Sequence, residues 1–404
     1  MNYRLVARYL GHFVVAVALL MLPSALWAAY FREWHALTAF GWSIAIATAA
    51  GVGLAYFGRG NAGPMFQREA LGLVGLGWLV MAAVGAVPYV IAGVLGPVDA
   101  YFESMSGFTT TGSTVLVDIE ATDKSLLFWR SFTHWLGGMG IIVLFIAVLP
   151  YLGVGGKQLF KSESPGPETR GLSPRIKDTA SILYKIYLGL TIAQTGLLML
   201  AGMSFYDALC HTFGTLATGG FSPRAESIGA YNSVPIDLIV IVFMVLAGTN
   251  FGLYFAMLRG NWKAPWRNTE WRVYMIILAV AVVLVTVNLL GVQAPAQDTS
   301  SSSPPAYSPA HALRVAAFQV VSITTTTGYC TDNFDVWPYF SRALLVVLMF
   351  VGGCAGSTGG GMKVMRVIML AKMAHQRLQA AFRPKTVRPI RVNGQVVDED
   401  IQRT

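Results

Sequence analysis

Apolar residues run along this chain in long blocks, and the polar positions between them gather in short clusters rich in Gly, Pro, Arg and Lys. A block of roughly 20 apolar residues is long enough for a helix to cross a bilayer. Such blocks fall at about residues 8–30, 37–57, 70–95, 126–150, 180–203, 235–258, 272–292 and 341–372. The pattern predicts eight spans, and an even number places both termini on one side. Three shorter amphipathic stretches, Val98–Phe108, Ser204–Thr215 and Pro309–Ser322, lie between blocks and are too short to cross. Pro97, Ser204 and the pair Ser308-Pro309 are suitable helix starts for them.

Each short stretch runs into a Thr/Gly turn: Thr109-Thr110-Thr111-Gly112-Ser113, Leu216-Ala217-Thr218-Gly219-Gly220 and Thr325-Thr326-Thr327-Gly328-Tyr329. Gly112, Gly219 and Gly328 are almost evenly spaced along the chain, which marks a tandem repeat. The unit is span, re-entrant half-helix, turn, span. Non-helical backbone survives at membrane depth only where it meets protein or lines a watery cavity. Thr and Gly turns there let carbonyl oxygens converge and replace the hydration shell of an ion. If the half-helices descend from the outer face, their C-terminal ends point partial negative charge at the cavity, which favours a cation.

The predicted fold is an all-α polytopic membrane protein with two extra N-terminal helices ahead of the repeats. Its parts are a two-helix unit at 1–69, a first pore repeat at 70–150, a basic loop at 151–178 and a second repeat at 179–258. A loop at 259–271, a third repeat at 272–372 and a basic tail at 373–404 complete it. Composition agrees, since 54% of the 404 residues are hydrophobic and only 12% charged. Of the 29 Lys and Arg, 22 fall on the side of the termini, which identifies that side as cytoplasmic. The net charge of +9 is therefore topology and implies no nucleic-acid partner.

The opposite face carries Asp118, Glu120, Asp123, Asp298, Asp332 and Asp335. These either concentrate cations or are ordinary solvated loop acids. Asp99, Glu103 and Asp207 are placed in the first turns of half-helices, where capping is favoured over direct ion contact. His211 and His311 read as hydrogen-bonded groups rather than proton relays. Cys210, Cys330 and Cys354 show no paired spacing and read as packing residues. Ser131, Thr133 and His134 lie close together, but Trp135 and Gly137-Gly138-Met139-Gly140 beside them read as tight helix packing, so the chain is not expected to be an enzyme.

The last block is interrupted by residues 352–361, where six of ten positions are glycine. At a cost near 1 kcal/mol each relative to alanine, these glycines predict a loop inside the membrane. Gly352, Gly353, Gly356, Gly359, Gly360, Gly361 and Lys363 are the candidate gate, a movable constriction below the turns; a hinge without gating duty is the alternative. A phosphate-binding loop is excluded, because Met362 separates the last glycine from Lys363 and Val364 follows the lysine.

With its turns TTTGST, ATGGFS and TTTTGYC and its loop GGCAGSTGGGMK, the chain resembles the membrane subunit of the Trk/Ktr/HKT potassium-transporter superfamily. The resemblance implies potassium uptake across a bacterial inner membrane by a channel-like homodimer in the bilayer. It also implies a cytoplasmic nucleotide-binding regulatory ring of the TrkA type, docking on the basic segments 157–177 and 363–391. No cofactor is implied, with K+ as the transported ion. By the same resemblance Gly112, Gly219 and Gly328 are the filter glycines. Carbonyls come from Thr110, Thr111, Ala217, Thr218, Thr326 and Thr327, and Ser113, Gly220 and Tyr329 complete the ion-binding turns. Plant relatives with serine at the first glycine prefer sodium, so Gly112 implies potassium. The family has four units, and a fourth glycine is expected near position 436, past Thr404. The rival expectations are therefore a non-conducting fragment lacking the last unit and an ion-coupled potassium symporter.

Overall fold

The structure is a computed structural model and describes residues 2–60, 67–140, 176–292, 307–382, 391–392 and 395–396. The end of the fourth apolar block, the basic segment 151–175, Asp298 and the tail residues Arg383, Lys385, Arg388 and Arg403 lie outside these. The chain divides into two compact units, one of Met1–Ser164 and Ser173–Tyr231, the other of Pro165–Leu172 and Asn232–Thr404.

In the first unit, α1 (Tyr3–Leu20) and α2 (Leu22–Phe31) follow one another as one apolar stretch, and α3 (Trp34–Phe57) returns beside them. The buried face of α3 is mostly small: Ala36, Ala39, Phe40, Ser43, Ala47 and Gly51. Small residues let backbones approach, as membrane helices require when no hydrophobic force drives them together. A Cβ on Gly11 of α1 would lie 2.5 Å from the Gly51 carbonyl oxygen. Trp42, Ile46 and Val52 on the other face remain exposed, as expected for a lipid-facing surface. Next come α4 (Gln67–Ile91), the half-helix α5 (Pro97–Phe108), α6 (Lys124–Trp135) with a π turn at Leu136–Gly140, α7 (Ile176–Leu200) and the half-helix α8 (Phe205–Leu216).

The second unit contains α9 (Val234–Ala247), α10 (Phe251–Leu258), α11 (Thr269–Leu289), the half-helix α12 (Pro309–Thr324), α13 (Tyr339–Met349) and α14 (Val364–Phe382). A two-residue antiparallel ladder pairs Arg391 with Val396. Within each unit the outgoing helix of one repeat packs on the half-helix of the next, α6 on α8 and α9 on α12.

The half-helices begin where their capping residues predict. Pro97 opens α5, the Ser204 hydroxyl accepts a hydrogen bond from Asp207 N, and the Ser308 hydroxyl accepts one from His311 N. At 12 residues, α5 and α8 are about 18 Å long against a hydrocarbon core of about 30 Å, so neither crosses.

One expected span is corrected. Residues 235–258 do not form a continuous helix, because α9 and α10 meet at 91° across Gly248-Thr249-Asn250. Asn250 caps α10 by accepting from Gly252 N at 2.7 Å, so a new helix starts where the apolar run continues. Among the described residues five helices are long and apolar enough to cross, or six if this bent pair counts as one. Gly140 ends the π turn, Gly248 begins the bend and Gly356 lies in the glycine loop, and the three are equally spaced in sequence.

Candidate functional site

Each half-helix ends in the same backbone motif. Thr110 N donates to Gly107 O at 3.1 Å and Thr111 N to Ser106 O at 2.9 Å. The second turn repeats this with Thr218 N to Thr215 O at 3.1 Å and Gly219 N to Gly214 O at 2.9 Å. In the third, Thr326 N donates to Ile323 O at 3.0 Å and Thr327 N to Ser322 O at 2.8 Å. This cap needs a left-handed residue, ordinarily glycine. Here threonine fills it three times, with φ of 54° at Thr110, 53° at Thr218 and 60° at Thr326. A non-glycine residue held there costs about 1–2 kcal/mol, and such strain gathers at functional sites.

The left-handed positions correct the register of the repeat. Gly112, Gly220 and Gly328 have φ of 79°, 80° and 83°, and their spacing along the chain is equal. The glycine equivalent to Gly112 is therefore Gly220, not Gly219, which stands where the other turns have Thr111 and Thr327. Those turns pair hydroxyls, Thr109 with Thr111 at 2.8 Å and Thr325 with Thr327 at 2.7 Å. Ala217 and Gly219 carry no hydroxyl, and the His134 ring packs into that space. A Cβ on Gly219 would lie 2.5 Å from the ring. Gly219 is glycine because the histidine is there.

In the first unit, two turns share this support. His134 Nδ1 lies 2.8 Å from the Gly107 carbonyl oxygen, and its ring stacks on Phe221 at 4.0 Å between centroids. The first turn touches the second directly, since a Cβ on Gly112 would lie 2.0 Å from the Gly219 carbonyl oxygen. A Cβ on Gly137 would lie 1.9 Å from Phe108 O and one on Gly138 3.0 Å from Ala217 Cα, so these two glycines serve close packing. Ser113 is turned back to its own half-helix, its carbonyl accepting from Ser106 Oγ at 2.6 Å.

Glu103 is also corrected. It lies in the middle of α5 and is fully buried, and it caps nothing. Its carboxylate accepts from Arg130 Nε at 2.6 Å, Thr114 Oγ1 at 2.9 Å and Val115 N at 2.9 Å. Asp99 and Asp207 do occupy first turns, and His211 shares a 3.2 Å hydrogen bond with the Tyr231 hydroxyl.

In the second unit, Tyr329 O accepts from Ser322 Oγ at 2.7 Å, the counterpart of Ser113 and Ser106. Residues 352–361 are non-helical, and the segment is bonded to its surroundings. Cys354 N donates to Gly248 O at 2.8 Å, Thr358 Oγ1 to Ala247 O at 3.1 Å, and Phe251 N to Gly356 O at 3.0 Å. The loop thus satisfies the backbone groups freed by the bend between α9 and α10. Buried Glu270 receives Ala355 N at 2.7 Å and Met365 N at 3.0 Å through one oxygen, clamping the loop to the start of α14. Gly360 N donates to Thr326 Oγ1 at 2.6 Å, joining the loop to the left-handed residue of the third turn. Lys363 Nζ donates to the Gly359 carbonyl.

Several loop acids serve local structure. Asp118 accepts from Ala121 N at 3.0 Å, Asp332 accepts from Trp337 Nε1 at 3.3 Å and from the Tyr307 hydroxyl, and Asn333 caps the turn at Asp335. Burial, with the Glu33 carboxylate, raises the Asp123 carboxyl above its ordinary value. Among the described residues no group of three or more His, Cys, Asp or Glu is arranged to hold a metal ion.

Sequence reasoning missed His134 as a support of the turns, and Glu270 and Arg130 altogether. A histidine in an apolar helix and an acid at the start of one were the available signals. Their partners, 27 to 95 residues distant, were not legible.

A family model described as TrkH, cation transport protein, matches residues 73–404. The chain is 39% identical to the Trk system potassium uptake protein TrkH of Escherichia coli (strain K12), over 99% of this chain and 81% of that one. It is 32% identical to the Trk system potassium uptake protein TrkG of the same strain, over 100% and 81%. The crystal structure of the potassium transporter TrkH from Vibrio parahaemolyticus matches with a TM-score of 0.85 at 36% identity, covering 100% of this chain and 81% of that one. Three strained threonine turns on half-helices, a bonded glycine loop and these relatives lead to one assignment: the chain is a multi-pass membrane protein and belongs to the TrkH family of cation transport proteins.

Proposed function

We propose that this chain is the ion-translocating, channel-like membrane subunit of a potassium uptake system, with K+ held by carbonyls of the three turns. The observation that carries this reading is the recurrence, at equal spacing along the chain, of a left-handed threonine and a left-handed glycine at the end of a half-helix. The motif turns successive carbonyls away from helical pairing, where they can replace water around a cation. The C-terminal dipole of each half-helix adds partial negative charge at the same place. The names of the relatives supply the ion, potassium.

The excess of Lys and Arg on the side of the termini supports both termini being cytoplasmic, in a bacterial inner membrane. By family resemblance the subunit works as a homodimer under a cytoplasmic nucleotide-binding ring of the TrkA type, without a cofactor and without enzymatic chemistry. The glycine loop gates the path. Expressed from its own gene in a bacterium that lacks potassium uptake systems, the protein is expected to restore growth at low potassium. Growth that stays absent although the protein is shown to reach the membrane contradicts the reading.

A further inference from the structure

We propose that the Glu103–Arg130 ion pair braces the exits of the first two turns and thereby sets their discrimination between potassium and sodium, an inference that rests on the potassium reading above. Both side chains are sealed from solvent, with 0% exposure for the Glu103 side chain and 3% for that of Arg130. Glu103 holds the segment leaving the first turn, through Thr114 Oγ1 and Val115 N, each at 2.9 Å. Arg130 holds the segment leaving the second, through Nη1 to Ser222 O at 3.0 Å, and its guanidinium lies 3.6 Å from the centroid of the Phe221 ring. One charge pair therefore joins the chain just beyond the left-handed glycines of two adjacent turns.

The segments it joins have no regular structure to hold them. Side chains must set their spacing, and a carboxylate and a guanidinium make shorter, more directional bonds than neutral groups. The third repeat uses the same position in the same way, whereas in the second His211 bonds the Tyr231 hydroxyl. At the spacing of the repeat, the counterparts of Glu103 are His211 and Gln319, both buried. Gln319 Nε2 reaches Asp332 O, on the segment leaving the third turn, at 3.4 Å. A neutral side chain thus reaches the exit of the third turn, whereas the first two share an ion pair. A direct role for Glu103 as a cation ligand fits poorly, because Arg130 matches its charge and both its oxygens accept hydrogen bonds.

A buried pair acts as a unit, since removing one partner strands the other charge. The test uses the full protein reconstituted in planar bilayers, with reversal potentials under opposed K+ and Na+ solutions for the wild type, Glu103→Gln, Arg130→Met and the doubly neutral Glu103→Gln/Arg130→Met. Each variant is expected to lower the potassium-to-sodium permeability ratio about tenfold. The double variant, free of stranded charge, should reach the membrane at wild-type abundance and still be poorly selective. An unchanged ratio in the double variant overturns the brace, as does a loss confined to Glu103→Gln, which would make Glu103 an ion ligand. A wild type that passes no potassium overturns the underlying reading, and the brace with it.

Discussion

Gly112→Ser is expected to lower the preference of the protein for potassium over sodium by about tenfold or more, equivalent to about 1.4 kcal/mol between the two ions. Two separate effects act at this position. The backbone has φ of 79°, which costs a side-chain-bearing residue about 1–2 kcal/mol. The new Cβ would also lie 2.0 Å from the Gly219 carbonyl oxygen and 3.2 Å from its carbon, in the neighbouring turn. That clash cannot be relieved by a side-chain rotation, because the opposing atoms are backbone. Either the first turn or the Gly219 peptide must move, and both displace candidate ion ligands. Gly328→Ala provides the contrast. It has the same conformational cost at φ of 83°, but among the described residues nothing lies within 4 Å of its Cβ. It is expected to reduce selectivity less than Gly112→Ser. Reversal potentials in mixed K+ and Na+ measure both, and an unchanged ratio in Gly112→Ser removes Gly112 from the selecting turns.

Shortening the glycine loop is expected to raise potassium flux. Deleting residues 357–360 removes the hydrogen bond from Gly360 N to Thr326 Oγ1 and those from Thr358 to Ala247 O. The clamp at Glu270 is left in place. A hydrogen bond contributes about 0.5–1.5 kcal/mol net, so losing the bond to Thr326 alone shifts an open–closed equilibrium roughly two- to tenfold. Glu270→Ala should act in the same direction and more strongly, because it frees the loop from the start of α14 and strands two buried backbone donors. Its protein should also be less abundant, which the deletion variant separates from gating. Tracer flux per molecule of protein is the measurement. Equal flux in the deletion variant would reduce the loop to a hinge.

What the sequence revealed and what it concealed follow from the range of the interactions. Pro97, Ser204 and Ser308 marked the half-helices because capping is settled within a single turn of chain. The loop at 352–361 was legible because so many glycines oppose helix on their own. The register of the second turn was not, since Gly219 and Gly220 are both glycine for different reasons. Gly220 adopts a left-handed conformation, while Gly219 makes room for His134, whose approach depends on the packing of α6. The bend at Gly248-Thr249-Asn250 was hidden for a similar reason. Its flanks are apolar throughout, and the groups that stabilise it come from a loop far along the chain, at Cys354, Gly356 and Thr358. Glu103 looked like a first-turn acid from its place in a short stretch. Only the fold brings Arg130 to it.

The potassium reading proposed above makes these turns the selecting element. Its most direct test is rubidium tracer uptake by liposomes containing the purified protein, loaded with potassium and challenged with unlabelled competitors. Rubidium should accumulate, driven by the outward potassium gradient, be displaced by external potassium, and be indifferent to the same concentration of sodium. Equal displacement by both ions, or no accumulation by protein that is folded and inserted, would contradict the account.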